Sequence, residues 1–197
     1  MVVTGLFFSL ALATAKEPSK TVFFGDSITE FWKDKKVFGK NAINHGIRSQ
    51  TTTQMRARFK KDVLDEKPAL VHFLMGTNDI AGNSGPYSFS KTTENIQWMC
   101  TEAKAKGIRV ILASVLPAAQ YPWNRDVKAA KEIEKLNTWI RDFAVKEKLQ
   151  FVDYYQVMST KEGAMKKDFS EDGVHPNEKG YAAMQPLVLK ALKLKNE

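Results

Sequence analysis

Apolar residues along the chain fall into two patterns: short unbroken runs, and longer stretches in which they recur with a helical period. The clear runs are residues 21–24 (TVFF), 69–75 (ALVHFLM) and 109–115 (RVILASV), with weaker ones at 42–44 (AIN) and 151–152 (FV). The three clear runs are closed by Gly25, Gly76 and Pro117. Between the runs, residues 52–64 carry Met55, Phe59 and Val63 at i, i+4, i+8, and residues 90–106 carry Ile96, Met99 and Cys100 ahead of Gly107, a helix-ending signal. Residues 126–148 place Ile133, Leu136, Ile140, Phe143 and Ala144 on one stripe. Residues 181–195 form a last helical stretch, with Pro186 expected to kink or restart it.

Continuously apolar strands separated by helices predict a parallel sheet covered on both faces. The fold class is α/β, most simply a three-layer sandwich. In open sheets of this kind, sites form beyond the carboxyl ends of the strands, so functional residues are sought just after each run.

Length and composition narrow the picture. The chain has 197 residues, 43% hydrophobic and 26% charged, as expected of one globular domain over residues 16–197. No stretch reaches the roughly 18 uninterrupted apolar residues of a spanning helix, so stable membrane insertion is not expected. Residues 2–15 are apolar or small, without charged side chains, and end in Ala13-Thr14-Ala15 before Lys16 and Glu17. They read as a secretory signal peptide, although no Lys or Arg precedes them; the alternative is an N-terminal apolar arm. Cleavage would make the protein secreted or periplasmic; without it the protein would be cytoplasmic. Cys100 is the only cysteine, which excludes an internal disulfide and suits a small core residue. The net charge of +8 comes from scattered lysines and arginines, and no zinc-finger spacing or aromatic–basic interleaving accompanies it. Nucleic acid is therefore not an expected partner.

Four segments after the runs carry candidate chemistry. Ser27, in Gly25-Asp26-Ser27-Ile28-Thr29, can present its hydroxyl on a tight turn and point its backbone N–H at the same spot. Asp26, Ser27 and Thr29 would serve equally well to cap the next helix. Gly46, after His45, can bring its amide close to a ligand or can be a plain turn glycine. Asn78, in Gly76-Thr77-Asn78-Asp79, can donate its amide to a developing oxyanion or can bond its own backbone. Asp172 and His175 are separated so that the carboxylate can fold back on the imidazole and fix its tautomer; the alternative is a loop leading into a helix cap. His72 lies inside a run and reads as a core residue. His45 has no acid beside it in sequence.

Together these segments resemble the GDSL/SGNH hydrolases. Ser27, Gly46, Asn78 and His175 follow the S-G-N-H order, and Asp172 matches the D-x-x-H acid. The likeness runs over about residues 21–192, and Gly-Ile-x-x-Gln-Thr-Thr at 46–52 and Gly-Thr-Asn-Asp-Ile-Ala-Gly-Asn at 76–83 are similar to a bacterial-type branch. It implies a flavodoxin-like sheet of five parallel strands and a Ser27–His175–Asp172 triad. It also implies an oxyanion hole from the Ser27 N–H, the Gly46 N–H and the Asn78 side chain, with no metal and no cofactor. Arg48-Ser49 departs from the small residue and glycine of many relatives, which bears on loop shape near the acyl pocket.

The substrate reading rests on loops. Residues 82–89 and 118–126 are expected at the site mouth, with Asp26, Tyr121 and Trp123 as candidate substrate contacts. Aromatic side chains there suit a sugar face or an aryl leaving group, or simply cover the core. The absence of a long apolar lid favours short acyl esters, acetyl on carbohydrate first. The alternatives are a lysophospholipase or thioesterase acting on longer chains, and a catalytically silent binding module on the same fold.

Overall fold

The computed structural model describes residues 20–193, so the leader or arm read at residues 1–15 lies outside the described residues. Five strands, β1 (Thr21–Gly25), β2 (Ala42–Gly46), β3 (Leu70–Leu74), β4 (Arg109–Ala113) and β5 (Gln150–Val152), pair in parallel in the order β2-β1-β3-β4-β5. The fold is the expected α/β sandwich. β2 runs to Gly46, two residues past the weak apolar signal, while β3 and β4 stop short of the ends of theirs.

Side chains alternate between two cores, as the period of two in a strand requires. Val22 and Phe24, Val71 and Phe73, and Val110 and Leu112 face one core. That core is completed by Met55 and Phe59 of α2 (Thr52–Phe59), by Ile96, Met99 and Cys100 of α4 (Phe89–Ala105), and by Ile133, Leu136 and Ile140 of α5 (Ala129–Lys146). Phe23, Leu70, Leu74 and Ile111 face the other core. It is closed by Ile28 of α1 (Ser27–Phe31), by Tyr154 and Met158 of α6 (Tyr154–Met158), and by Met184, Val188 and Ala191 of α7 (Glu178–Lys193). Burying each such aliphatic or aromatic side chain contributes about 1.5–3 kcal/mol, which is why the strands read as unbroken apolar runs.

Helix ends follow local chemistry. Ser88 caps α4 by accepting from the Lys91 N–H. At its far end Gly107, at φ +70°, lets Ile108 N bond Ala103 O at 3.0 Å and Gly107 N bond Lys104 O at 2.9 Å, a Schellman closure. The same closure ends α5, but Lys148 occupies the left-handed position at φ +53°. The stretch 52–64 is helical throughout, although its last turn, Lys60–Leu64, widens to a π-helix. α7 begins at Glu178 and runs through Pro186 without a break.

Strand order reverses direction at β1: the chain passes from β1 out to β2, then back across to β3. The crevice past the carboxyl ends of β1 and β3 is where such a sheet leaves room for a ligand.

Candidate active site

β1 delivers Asp26 and Ser27 to that crevice. Asp26 is 1% exposed and caps α1, its Oδ1 accepting from Ile28 N at 2.9 Å. Burial, opposed by that hydrogen bond and by the nearby His175, pushes its carboxyl up to about 7. Asp26 is thus a buried cap, not the substrate contact expected from the sequence. Ser27 is the first residue of α1, and its Oγ lies 3.0 Å from His175 Nε2.

The loop before α7 holds His175. Its Nδ1 is 2.6 Å from Asp172 Oδ2, while Asp172 Oδ1 accepts from Val174 N at 2.9 Å and His175 N at 2.8 Å. Ser170 Oγ donates to the same oxygen at 3.1 Å and accepts from Gly173 N at 2.9 Å. Partial burial raises the Asp172 carboxyl, but the bonds from the His175 side chain and backbone outweigh it and leave the group below its ordinary range. The structure therefore brings Ser27, His175 and Asp172 into one line of contacts.

Asn78 follows β3 on α3 (Thr77–Ile80) and is 2% exposed. Its Nδ2 donates to Gln50 O at 3.1 Å, and its Oδ1 accepts from Asn83 Nδ2 at 2.7 Å. Asn83 Oδ1 in turn accepts from Trp123 Nε1 at 3.0 Å. This chain fixes the flip of the Asn78 amide: Oδ1 is taken by Asn83, and the amino group keeps a second hydrogen to give. Asp79 steadies the turn by accepting from Thr52 N at 2.9 Å and from the hydroxyls of Thr52 and Thr92. Arg58 fastens the strand ends, donating to Gly25 O and His45 O at 3.0 Å each and to the Gln50 side chain.

Gly46 is not brought to this point. Its N–H donates to Asn44 Oδ1 at 2.9 Å, and it lines a different surface hollow from the one that holds Ser27. What Gly46 provides is closeness: a Cβ there would sit 2.1 Å from Glu30 N, so only glycine lets α1 lie on the end of β2. The residues of this segment at the site are Arg48 and Ser49, the latter held at φ +63°. Its turn is pinned by Arg48, whose N, Nε and Nη2 all donate to the Glu30 carboxylate at 2.7–3.2 Å. The Arg48 hydrogen bonds hold that carboxyl below its ordinary range.

Ser27, Phe31, Arg48, Ser49, Asn78, Asn83, Trp123 and His175 enclose a cleft of about 260 Å³. Trp123, 47% exposed, and Phe31, 39% exposed, lie 6.0 and 5.8 Å from the His175 ring between centroids. Tyr121, expected beside Trp123 at the mouth, is instead wholly buried beneath it, with its hydroxyl 3.3 Å from Thr77 Oγ1. Phe31 and Asn83 were not singled out as site residues by sequence reasoning. The departure of Arg48-Ser49 from the resembled family pattern is the sequence signal for this turn. Of the remaining candidates, His72 is buried with Nε2 3.0 Å from Tyr154 Oη, and its Nδ1 has no hydrogen-bond partner among the described residues. Cys100 is buried, and burial pushes its thiol up. Among the described residues no group of three His, Cys, Asp or Glu is arranged to hold a metal, and no helix is long and apolar enough to cross a membrane.

The profile of the GDSL-like lipase/acylhydrolase family matches residues 23–183, most of the chain and all of the segments just described. The chain belongs to that family. A GDSL-like lipase from Bacteroides thetaiotaomicron is 42% identical to it, with a TM-score of 0.86 over 89% of this chain and 88% of that one. An acetylxylan esterase from Geobacillus stearothermophilus shares the family fold, with a TM-score of 0.71 at 17% identity over 90% and 95% of the two chains. An uncharacterized lipoprotein, YqeF, of Bacillus subtilis is 37% identical over 78 residues, which are 38% of this chain and 32% of that protein. The chain spans well under half the length of the curated relatives it matches. As a member of that family, it has a fold whose site opens past the strand ends.

Proposed function

We propose that this acylhydrolase is a serine esterase that removes short acyl groups, acetyl foremost, from carbohydrate or other small hydroxylated alcohols. One observation carries the reading: Ser27 Oγ is 3.0 Å from His175 Nε2 while His175 Nδ1 is 2.6 Å from Asp172 Oδ2. A serine hydroxyl is a poor nucleophile until a base within hydrogen-bond reach takes its proton, and that base works best with an acid fixing its other nitrogen.

In this reading His175 Nε2 accepts the Ser27 proton as Oγ attacks the ester carbonyl. Negative charge develops on the carbonyl oxygen and is met by the Ser27 N–H and the second Asn78 amide hydrogen. The third donor expected from Gly46 is assigned instead to the Ser49 N–H, because the Gly46 N–H is spent on Asn44 and Ser49 lines the cleft. The C–O bond to the alcohol breaks, and the alcohol leaves with the proton held on His175. Water, deprotonated by the same imidazole, then attacks the acyl-serine and regenerates Ser27.

Cleft size supports a short acyl group. At about 260 Å³ it falls below the roughly 300–1,000 Å³ of sites that enclose drug-sized ligands. The test is covalent labelling of Ser27 by a fluorophosphonate, with Ser27→Ala as control, followed by rates on 4-nitrophenyl esters of rising chain length. Labelling of Ser27 and a maximum at acetate or butyrate are expected. A maximum at about eight carbons or more would move the assignment to a lysophospholipase or thioesterase. A folded protein that takes no label would be a binding module.

A further inference from the structure

A second cleft opens beside the first, and Phe31 lines both. It measures about 490 Å³, within the range of sites that take a drug-sized ligand, and its walls include Lys33, Asn177, Glu178 and Tyr181. Pro176, directly after His175, also lines it, so the cleft lies on the imidazole side of the site. In acyl transfer the departing alcohol takes its proton from the imidazole, which places the alcohol part of an ester on that side. An alcohol too large for the first cleft therefore extends past Phe31 into the second.

The polar groups of the walls say what kind of alcohol fits. Several are already spent within the protein. Tyr181 Oη donates to Ile28 O at 2.7 Å. Asn177 donates to Asp168 O and Glu171 Oε1 and accepts from Gly180 N. Asp34, also in the wall, accepts from Lys36 N and from the Gln185 side chain. Lys33 and Glu178 differ: the ion pairs among the described residues include neither. One is a donor only and the other an acceptor only. Sugar hydroxyls can serve both at once, accepting from Lys33 and donating to Glu178. A carboxylate or phosphate would be repelled by Glu178, and an alkyl chain would strip water from both groups and return no hydrogen bond. Phe31 lines both clefts with the Arg48 guanidinium over its ring, and its exposed apolar surface can meet the C–H side of a sugar ring.

We propose that this second cleft is a leaving-group subsite that holds a further sugar ring of an oligosaccharide, so that the preferred substrate is an acetylated oligosaccharide. The proposal rests on the esterase reading above and adds the class of alcohol to it.

Initial rates with three acetyl esters test it: 4-nitrophenyl acetate, an acetylated monosaccharide, and the trisaccharide of the same sugar acetylated at the same position. The expected wild-type kcat/KM is about tenfold or more higher for the trisaccharide than for the monosaccharide, the ratio that roughly 1.4 kcal/mol of added binding supplies. Ala182→Trp, which fills the cleft, is expected to bring the trisaccharide-to-monosaccharide ratio down to about one. The Lys33→Gln, Glu178→Gln double variant is expected to reduce that ratio severalfold, and it decides the matter if Ala182→Trp does not fold. Equal rates on the two sugar esters in the wild type, or a preference that survives in the folded variants, would overturn the subsite. The nitrophenyl ester separates the two failures. Its hydrolysis with no sugar-length preference removes only the subsite, whereas inertness toward all three esters removes the esterase reading and the subsite with it.

Discussion

Asp172 uses its two carboxylate oxygens for different purposes. Oδ2 faces His175 Nδ1 at 2.6 Å, while Oδ1 is held by Val174 N, His175 N and the Ser170 hydroxyl. The loop thus aims the acid before the acid aims the imidazole. In the proposed mechanism the Nδ1 proton faces Asp172, which leaves Nε2 with the lone pair that Ser27 needs.

Asp172→Asn keeps the loop contacts to Oδ1 but puts an amide opposite Nδ1, favouring the tautomer with its proton on Nε2. The expected result is a kcat lower by about three to four orders of magnitude with folding intact, by analogy with the tautomer effect known for serine triads. Esterase rates and circular dichroism on the purified variant check it; a loss below tenfold would contradict the role.

Asn78 and the two residues behind it should separate by size of effect. Asn78→Ala removes the proposed oxyanion donor and is expected to lower kcat by about a hundredfold or more. Trp123→Phe retains a ring beside His175 but loses the N–H that holds Asn83. One neutral hydrogen bond at one remove is worth about 0.5–1.5 kcal/mol, so kcat should fall about two- to tenfold with KM little changed. If Trp123 acts by stacking on substrate alone, KM will move and kcat will not.

The parts of the molecule legible in the sequence are those whose chemistry is local. Phe73 and Leu112 sit in strands covered on both faces, and such strands read as nearly continuous apolar runs. Ser27, Asn78 and the Asp172–His175 pair lie at strand or loop ends where few residues compete for the role. What the sequence hides depends on tertiary packing. Phe31 and Trp32 are neighbours, as are the pair of aromatics around Pro122, yet Phe31 and Trp123 line the cleft while Trp32 and Tyr121 are buried. No local pattern distinguishes the members of each pair. Gly46 drew attention because glycines mark close approaches, and it does make one, but toward Glu30 and not toward the cleft. Ser49 shows in the sequence only as part of the Arg48-Ser49 departure, because a serine at positive φ carries no compositional mark of its own.

Asp26 makes stability depend on pH in a direction opposite to most surface carboxylates. Its carboxyl titrates near 3.8 when solvated and is pushed up to about 7 in the fold, chiefly by burial. Between those values the folded state holds the proton more tightly than the unfolded state, so this group's contribution declines as pH rises through the window and levels off above about 7. Asp26→Asn keeps an acceptor for the Ile28 N–H and removes the ionisation. Relative to wild type it should gain about 1–3 kcal/mol more at pH 8 than at pH 4, an order-of-magnitude figure read from urea midpoints at the two pH values. An equal change at both would mean that Asp26 titrates in the fold as it does in the unfolded chain.

Ser49 offers a test that couples backbone strain to the site. A non-glycine residue in the left-handed region costs about 1–2 kcal/mol, and glycine relieves that cost while adding back up to about 1 kcal/mol of unfolded-state entropy. Ser49→Gly should therefore be neutral to stabilising by about 1 kcal/mol, and Lys148→Gly, at a similar φ but far from the cleft, should behave alike. The two should part in catalysis. Ser49→Ala retains the side-chain constraint on the turn, and Ser49→Gly retains the N–H, so if the backbone amide is the working group both variants should keep kcat within about threefold of wild type. If the Ser49 hydroxyl is the donor, both variants should instead lose about tenfold or more in kcat while the folded state stays as stable. Denaturant unfolding and turnover of 4-nitrophenyl acetate, measured on all three variants, decide between them.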